Sequence, residues 1–277
     1  MKKSKSIVFP IIYFTLASCI IIGMVFSSSS RGLESNSDTG YAAGEIYSNE
    51  TFPAGRFEVR MKVCNIEGTV SSMFLYKNDS WQVGNMWNEI DIEFLGKNIS
   101  QFQSNIISGY APEMSEDHHP VSPDASQNFH TYAIEWTPDY IAWFLDGMEV
   151  RRAEPSKNNQ LSHFKDNRMS VRFNLWPVAD YPEIQKWAGT LNDDDLTAYA
   201  FYDWFQYWEY TPGRGSNNSD FTLKWRDDFE KFDPSRWGKA DWTFSGNKAT
   251  FNKRNIGYKD GHLILCITKG NTTGCTI

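Results

Sequence analysis

The sequence contains few cysteines, little helical periodicity and no excess of positive charge. Outside the N-terminal segment the cysteines are Cys64, Cys266 and Cys275, and they lack the clustered spacing of a zinc site. One disulfide and one free thiol are expected, and the sequence does not choose the pair. The chain carries 27 Lys and Arg against 34 Asp and Glu, a formal net charge of −7. This balance argues against nucleic acid or an anionic membrane surface as a partner.

Aromatic residues and strand patterns, in contrast, are abundant. Aromatic residues make up 16% of the chain, including 11 Trp and 13 Tyr, and such rings either fill a β-sandwich core or stack on sugar faces. In residues 55–64 apolar and charged side chains alternate, as in a strand with one buried face. Similar runs, separated by turn residues, cover 69–76, 129–136, 140–145, 169–176 and 201–210. Many short strands in one chain predict an all-β sandwich.

Two local features refine this prediction. The pair Asp146-Gly147 predicts a tight hairpin turn between the runs 140–145 and 148–152. Helical periodicity is scarce, and residues 193–199 suggest one short helix. The chain is therefore expected to be almost entirely β.

Residues 1–28 have the composition of a targeting segment. A basic start is followed by an apolar run over 7–26 and then by serines, which predicts a signal peptide. The run is also close to the length of a membrane span, and residues 16–19 resemble a bacterial lipoprotein signal that would place a lipid on Cys19. In each case the rest of the chain faces an oxidising exterior. The protein is predicted to be secreted, with a lipid- or membrane-anchored form as the alternative.

Three acidic residues alternate with apolar residues in the run WNEIDIEFLG at 87–96. Successive side chains of a strand point to opposite faces, so Glu89, Asp91 and Glu93 share one face. Like charges this close repel one another. One interpretation is a solvated acidic face, and the other is a site that uses several carboxyl groups.

Hydrolysis of a glycosidic bond needs two carboxyl groups. When they lie ~5–5.5 Å apart, one is a nucleophile and the other a general acid/base, and the configuration is retained. On a flat strand the Cα atoms of Glu89 and Glu93 would be about 13 Å apart, so the side chains must converge on a curved sheet. Asp91 is expected to add negative potential that helps keep a proton on Glu93.

The run at 87–96 closely resembles the active-site strand of glycoside hydrolase family 16, in particular its lichenases (endo-1,3-1,4-β-glucanases). Its Glu-Ile-Asp-Ile-Glu core is uninterrupted, whereas laminarinases of the family typically carry one more residue before the second Glu. Further lichenase-like segments follow in the same order at 74–78, 102–106, 129–132, 173–176 and 187–189. The resemblance implies a jelly-roll β-sandwich of two curved antiparallel sheets with a concave substrate cleft.

The C-terminal segments 229–237, 241–247 and 260–265 resemble the part that opens most lichenases, although here they close the chain. This order implies a circular permutation, which is known in at least one bacterial lichenase. So few strands could hardly bury a core of their own. Residues 29–277 are therefore expected to form a single catalytic domain, in which 221–277 are the permuted segment.

The resemblance also implies roles for individual residues. Glu89 would be the nucleophile, Glu93 the general acid/base and Asp91 an auxiliary acid. The positions that match substrate-binding residues of the family are Glu45, Phe74, Tyr76, Asn78, Trp87, Gln103, Asn105, Trp176, Trp187, Asp241 and Trp242. A structural calcium on the convex side would be held by Asp203, Asp228 and the Gly261 carbonyl, since calcium prefers oxygen ligands. No catalytic cofactor is expected.

Together these features predict a secreted, monomeric endo-glucanase that hydrolyses mixed-linkage 1,3-1,4-β-glucan with retention, by double displacement. Two alternatives from the same family are a xyloglucan endotransglycosylase/hydrolase and a laminarinase. An alternative from another class is a lectin of similar jelly-roll shape, which binds carbohydrate without needing two correctly spaced glutamates.

Overall fold

A computed structural model of the protein describes residues 40–215, 218–270, 272 and 274–276. The predicted targeting segment 1–28, with Cys19, lies outside the described residues. Within the described part, none of the helices has the length and apolar character needed to cross a membrane.

The described residues form sixteen strands and one short α-helix. The strands are β1 (Tyr41–Ser48), β2 (Gly55–Lys62), β3 (Thr69–Tyr76), β4 (Trp87–Leu95), β5 (Gln101–Gly109), β6 (Glu113–Pro120), β7 (His130–Trp136), β8 (Ile141–Leu145), β9 (Met148–Ala153), β10 (Ser170–Pro177), β11 (Ala198–Tyr210), β12 (Phe221–Asp227), β13 (Trp237–Lys239), β14 (Thr250–Phe251), β15 (Ile256–Lys259) and β16 (His262–Lys269). Helix α1 is Pro182–Ala188, and short 3-10 turns occur at Asn159–Phe164, Asp193–Asp195 and Lys253–Asn255.

The strands are arranged as the predicted all-β jelly-roll sandwich. One half has the order β6-β5-β4-β3-β10-β1 and is called the cleft sheet here. The other half has the order β16-β11-β2-β7-β8-β9 and is called the backing sheet. The two halves join where β1 pairs with β16, and pairing is antiparallel throughout except between β1 and β14.

The core lies between the two sheets and supports the back of β4. Ile90, Ile92 and Phe94 are fully buried, so the apolar half of the strand anchors it to the core. The Trp143 indole on β8 donates a hydrogen bond to the Asp91 carbonyl at 2.9 Å. Tyr202 on β11 donates to the Ser72 carbonyl of β3 at 3.0 Å. The backing sheet therefore holds the centre of the cleft sheet directly.

The C-terminal segment supplies interior strands. β16 lies between β1 and β11 in the strand order, and β12 forms a hairpin with β11. The Gly270 amide donates to the Gly40 carbonyl at 2.6 Å, so the end of β16 meets the start of β1. Removing this segment would open the sandwich at its join.

Three local predictions have different outcomes. Asp146 and Gly147, with φ of 48° and 81°, form the predicted hairpin turn between β8 and β9. The predicted helix at 193–199 is wrong beyond its first turn, because Ala198 already pairs with β16 as the start of β11. Helix α1 was not predicted, because its seven residues contain a single apolar repeat at helical spacing, that of the buried Ile184 and Ala188.

The described cysteines form one disulfide and one free thiol, as predicted. Cys266 on β16 is bonded to Cys275, with Cα atoms 5.6 Å apart. Cys64 is buried and free, and burial raises the pKa of its thiol. The disulfide ties the last described residues to an interior strand.

Candidate active site

The three acids of β4 lie in the middle of the cleft sheet, on the face opposite the core. Glu89 and Glu93 are half-buried, and Asp91 is 2% exposed. We call these three residues the acid row. On β3, Tyr76 lies opposite Glu89 and Phe74 opposite Asp91. The row is therefore shielded by neighbouring strands on both sides rather than solvated at an edge.

The strand on the other side of the row is polar. Asn105 of β5 lies opposite Asp91, and Gln103 lies opposite Glu93. Both amides are nearly fully buried, and the Asn105 Oδ1 atom has no hydrogen-bond partner among the described residues. A buried, unpaired acceptor facing the cleft is suited to receive a hydroxyl donor.

Glu89 is held by its neighbour on the same face. The Trp87 indole donates to Glu89 Oε2 at 2.7 Å. Burial raises the pKa of Glu89 to about 7, although the Trp87 hydrogen bond and the Arg172 charge oppose that rise. A carboxylate with a fixed donor on one oxygen has its other oxygen oriented for a second role.

Glu93 keeps its proton more firmly than Glu89. Its pKa is raised to about 8, first by burial and then by the charges of Glu89 and Glu116. The Trp87 hydrogen bond and the Arg172 charge oppose the rise at Glu89, whereas the named causes at Glu93 all raise its pKa, so the singly ionised state with the charge on Glu89 and the proton on Glu93 is favoured. This is the distribution that a nucleophile and a general acid require.

Asp91 differs from its expected role. Burial, followed by the charges of Glu89 and Glu93, raises its pKa well above the usual range. As a carboxylate it would have no donor for either oxygen among the described residues, so the unpaired oxygens and the raised pKa both favour its protonated form. With its pKa raised, Asp91 is not expected to carry the negative charge that was predicted to hold the Glu93 proton.

Arg172 on β10 was not predicted as a site residue. Its guanidinium forms an ion pair with the buried Glu45 at 3.2 Å and donates to Asn78 Oδ1 at 2.9 Å. It also lies over the Tyr76 ring, 4.7 Å from the centroid. In the sequence Arg172 stands out only because it alternates with the buried Val171 and Phe173. That alternation indicates the face of β10 on which Arg172 lies, but not the residues that it contacts.

A chain of amide and hydroxyl contacts extends this network. Asn174 donates to Glu45 Oε2 at 3.2 Å and accepts from Ser72 Oγ at 2.6 Å. Ser72 in turn lies opposite Glu93 across the β3–β4 pair. Side-chain contacts thus connect the polar face of the cleft sheet from β1 through β10 to β3, and these side chains are held before any ligand arrives.

Aromatic residues border the Trp87 end of the row. Trp87 packs edge-on against Tyr76 with ring centroids 5.6 Å apart. Trp242, 36% exposed, lies 5.3 Å from the Tyr47 ring. Asp241, another predicted substrate residue, is exposed. Its described contact is an ion pair with Lys253 at 2.9 Å rather than a contact with the acid row.

A second group lies at the Glu93 end. The Trp187 indole of α1 donates to Gln103 Oε1 at 3.0 Å, and its ring is 6.2 Å from that of Trp176. A cavity of about 230 Å³ opens here, lined by Glu93, Gln103 and Trp187 among others. Together the two ends form an aromatic-edged cleft with the acid row between them.

The residues predicted to hold calcium have other partners. Asp203 pairs with Arg60, and Asp228 pairs with Arg226 at 2.6 Å. No group of three or more His, Cys, Asp or Glu residues suited to a metal occurs in the part of the chain that the structure describes. Each of the two predicted carboxylates is thus paired with an arginine, and the calcium site with Asp203, Asp228 and the Gly261 carbonyl stays a prediction of the resemblance.

Comparison with known proteins agrees with this geometry. Residues 19–197 match the sequence profile of Glycosyl hydrolases family 16. The chain is 47% identical to a beta-glucanase of Fibrobacter succinogenes over 232 residues, which are 83% of this chain and 64% of that protein. It is 36% identical to a beta-glucanase of Brevibacillus brevis over 167 residues, 60% of each chain. The match thus spans less than two thirds of these relatives' lengths.

Two solved structures have the same fold. A Bacillus licheniformis beta-glucanase is 33% identical with a TM-score of 0.50, covering 59% of this chain and 70% of that one. A beta-1,3-1,4-glucanase (lichenase) from a mouse hindgut metagenome is 32% identical with a TM-score of 0.50, covering 61% and 79%. From its sequence profile, its relatives and the geometry of its acid row, the chain belongs to glycosyl hydrolase family 16.

Proposed function

We propose that the protein is a retaining endo-β-glucanase that hydrolyses mixed-linkage 1,3-1,4-β-glucan. The acid row carries this proposal, because Glu89 and Glu93 share one shielded face and Glu93 holds its proton to higher pH than Glu89. The relatives named beta-glucanase and the neighbour named lichenase support the same substrate class.

The reaction takes place in two displacements. In the first, a Glu89 carboxylate oxygen bonds to the anomeric carbon while the glycosidic C–O bond breaks, and Glu93 gives its proton to the departing oxygen. In the second, Glu93, now ionised, takes a proton from water, whose oxygen displaces Glu89. Two inversions at one carbon give net retention.

Neighbouring residues prepare Glu89 for attack. The Trp87 indole holds Oε2 at 2.7 Å, which leaves Oε1 as the attacking atom. A protonated Asp91, next to Glu89 on the same face, would offer a second donor to the Glu89 carboxylate. These two donors favour the ionised nucleophile in surroundings where burial alone would protonate it.

The cleft suits a neutral polysaccharide. The partly exposed rings of Trp87 and Trp187 offer planes for sugar faces, whereas the predicted binding residues Tyr76 and Trp176 are buried and support them from behind; the buried amide of Asn105 offers an acceptor for a hydroxyl. With an acidic chain as a whole, a neutral glucan is accommodated without charge repulsion. We expect the enzyme to act as a secreted monomer, through the targeting segment 1–28.

The order of the chain is consistent with a circular permutation. The end of β16 meets the start of β1 through the Gly270–Gly40 hydrogen bond, so a short connection there would restore an order with the C-terminal segment first. The sequence match to the Fibrobacter succinogenes protein covers 83% of this chain, against 60% for the Brevibacillus brevis protein. A permuted order shared with the first protein would account for the longer match.

The substrate is tested by product analysis of the purified protein on barley β-glucan, lichenan, curdlan, carboxymethyl cellulose and xyloglucan. Rapid release of reducing ends from the first two is expected. Cleavage of curdlan alone would indicate a laminarinase, and activity on xyloglucan alone an endotransglycosylase/hydrolase.

A matched variant tests whether the site is catalytic at all. Glu89→Gln keeps the size of the side chain and removes the nucleophile, so hydrolysis of barley β-glucan should fall by about 10³-fold or more, while retention on a β-glucan affinity gel persists. Binding without hydrolysis by the unmodified protein would instead identify a lectin.

A further inference from the structure

A further acid reaches the cavity beside Glu93 from the edge strand β6. Glu116 lies opposite Asn105 and His118 opposite Gln103, which places both on the same face as the acid row. Both line the 230 Å³ cavity together with Glu93. No assigned role in the two displacements involves either residue.

Glu116 is held in place by a defined set of contacts. Its Oε1 atom lies 2.9 Å from His118 Nε2, and the Gln101 amide lies 3.2 Å from His118 Nδ1. With the Gln101 amide donating to Nδ1, the Nε2 atom carries the hydrogen that is donated to Glu116. In this tautomer the hydrogen bond orients the Glu116 carboxylate without a formal ion pair.

We propose that Glu116 is a positioning residue that keeps the proton on the acid/base Glu93, and that His118 and Gln101 hold Glu116 in place for this task. The inference rests on the proposed function of Glu93. Through Glu116, the edge strand β6 sets the alkaline limit of the reaction, in addition to any contact with the sugar chain.

The charges around Glu93 favour this role. On its own strand Glu89 and Asp91 face the same cleft, and of these Asp91 is neutral as argued above. Ser72 of β3 and Gln103 of β5 lie directly opposite Glu93 and carry no charge. Glu116 is therefore the acid that acts on Glu93 from another strand, and its charge contributes to the raised pKa of Glu93.

The cation and the ring at the cavity do not cancel this effect. Lys97 lines the cavity, but its ammonium donates to the Lys186 carbonyl at 2.7 Å, at the exposed rim. Trp187 contributes a neutral indole. Glu116 is an exposed residue of β6 with 29% of its side chain accessible, so solvent weakens its field and a modest effect on Glu93 is expected.

The test compares kcat/KM against pH on barley β-glucan for the unmodified enzyme, Glu116→Gln and Glu116→Lys. Removing the Glu116 charge should move the alkaline limb of the profile to lower pH by about 0.5 unit, and reversing the charge should move it further in the same direction. His118→Leu, which frees Glu116 to turn towards solvent, should give a smaller shift in the same direction.

Glu113→Gln is the matched control. Glu113 is an exposed acid on the same strand, but an odd number of residues from Glu116, and so on the opposite face. This variant should leave the alkaline limb where it is. A Glu116→Gln profile that coincides with the unmodified one, or an equal shift in Glu113→Gln, would overturn the proposal.

A second readout does not depend on hydrolysis. The Glu93 carboxyl carbon can be titrated by NMR in the Glu89→Gln background, with and without Glu116→Gln. The pKa of Glu93 should be lower when Glu116 is replaced, and an unchanged pKa contradicts the proposal. An enzyme inactive on all glucans would overturn the proposed function, while this titration would still decide the coupling.

Discussion

Individual carboxyl groups on one strand acquire different proton affinities from their contacts. Glu89 and Glu93 are both half-buried, yet Glu89 accepts a hydrogen bond from Trp87 while Glu93 lies near Glu116. The first contact favours the ionised form and the second the protonated form. The division of labour between two identical side chains therefore follows from their neighbours.

The pH dependence of kcat/KM should be bell-shaped. Glu89 must be ionised to attack, so activity should rise as pH passes about 7. Glu93 must be protonated to donate, so activity should fall as pH passes about 8. The profile measured on barley β-glucan is expected to have its maximum between these limbs. An acid limb near the ordinary glutamate pKa would contradict the role of burial.

The same shift has a consequence for stability. Because the pKa of Glu93 is raised from 4.5 to about 8 on folding, its proton contributes to stability in full below the lower value, and this contribution is lost as pH rises through the higher one. The side chain of Glu93→Gln cannot ionise, so it has no proton to lose. Its melting temperature should exceed that of the unmodified protein at about pH 9 and approach it at about pH 4.

Equal differences between the two proteins at both pH values would contradict this linkage. Glu113→Gln serves as the control, since its side chain is exposed. Its melting temperature should follow that of the unmodified protein at every pH.

Arg172 should be required for stability as well as for the shape of the cleft. Arg172→Met leaves Glu45, 2% exposed, without its cation. Loss of one partner of a buried pair costs about 3 kcal/mol, which urea unfolding would measure. The double variant Arg172→Met/Glu45→Gln removes both charges and should be more stable than Arg172→Met alone. Additive losses from the two substitutions would show that the pair is not coupled.

At the scale of elements, the alternation of apolar and polar residues predicts where strands occur better than it predicts which strands pair. The runs that became β2, β3, β7, β8 and β10 are visible in the sequence because each has an apolar face. The turn at Asp146-Gly147 is visible because both residues tolerate positive φ. These signals are local, and the structure agrees with them.

Other elements depend on distant contacts. Residues 193–199 have polar and apolar residues that fit a helix, but pairing of Ala198 and Tyr199 with β16 overrides that preference. The role of Arg172 depends on β1 and β3 lying on either side of β10. Which cysteine joins Cys266 depends on where the chain end lies. None of these three features follows from the local periodicity of the sequence.

In the whole molecule, the sandwich connects the site to the C-terminal segment. The cleft sheet carries the acid row, and β16 continues the strand order from β1 to the backing sheet. Strand patterns predicted a sandwich, alternation predicted that the acid row shares one face, and the resemblance predicted the jelly-roll form and the catalytic roles. Neither could show that Tyr202 and Trp143 of the backing sheet hold the backbone of β3 and β4, because those contacts cross the core.

A rearranged chain should fold to the same structure. It would begin at Asp220, continue to residue 277, pass through a flexible linker to Gly40 and end at Thr211. Every strand pair is kept, and the linker has to lead back only to Gly40, whose carbonyl accepts a hydrogen bond from Gly270 at the end of β16. Its circular dichroism and activity should match those of the original chain.

Deletion of residues 221–277 is the contrasting control for the rearranged chain. It removes β16 from between β1 and β11, and an insoluble or unfolded chain is expected. A soluble, active truncated protein would show that the C-terminal segment is an accessory rather than part of the sandwich.

The most direct test of the account is to identify the residue that bonds to the sugar. A 2-deoxy-2-fluoro cello- or laminari-oligosaccharide with a good leaving group slows both displacements but allows the first, so the glycosyl-enzyme accumulates. After digestion, mass spectrometry of the labelled peptide should place the sugar on Glu89, within 87–96. A label on Glu93 or on any residue outside the acid row, or an inverted product from natural glucan, would contradict the assignment.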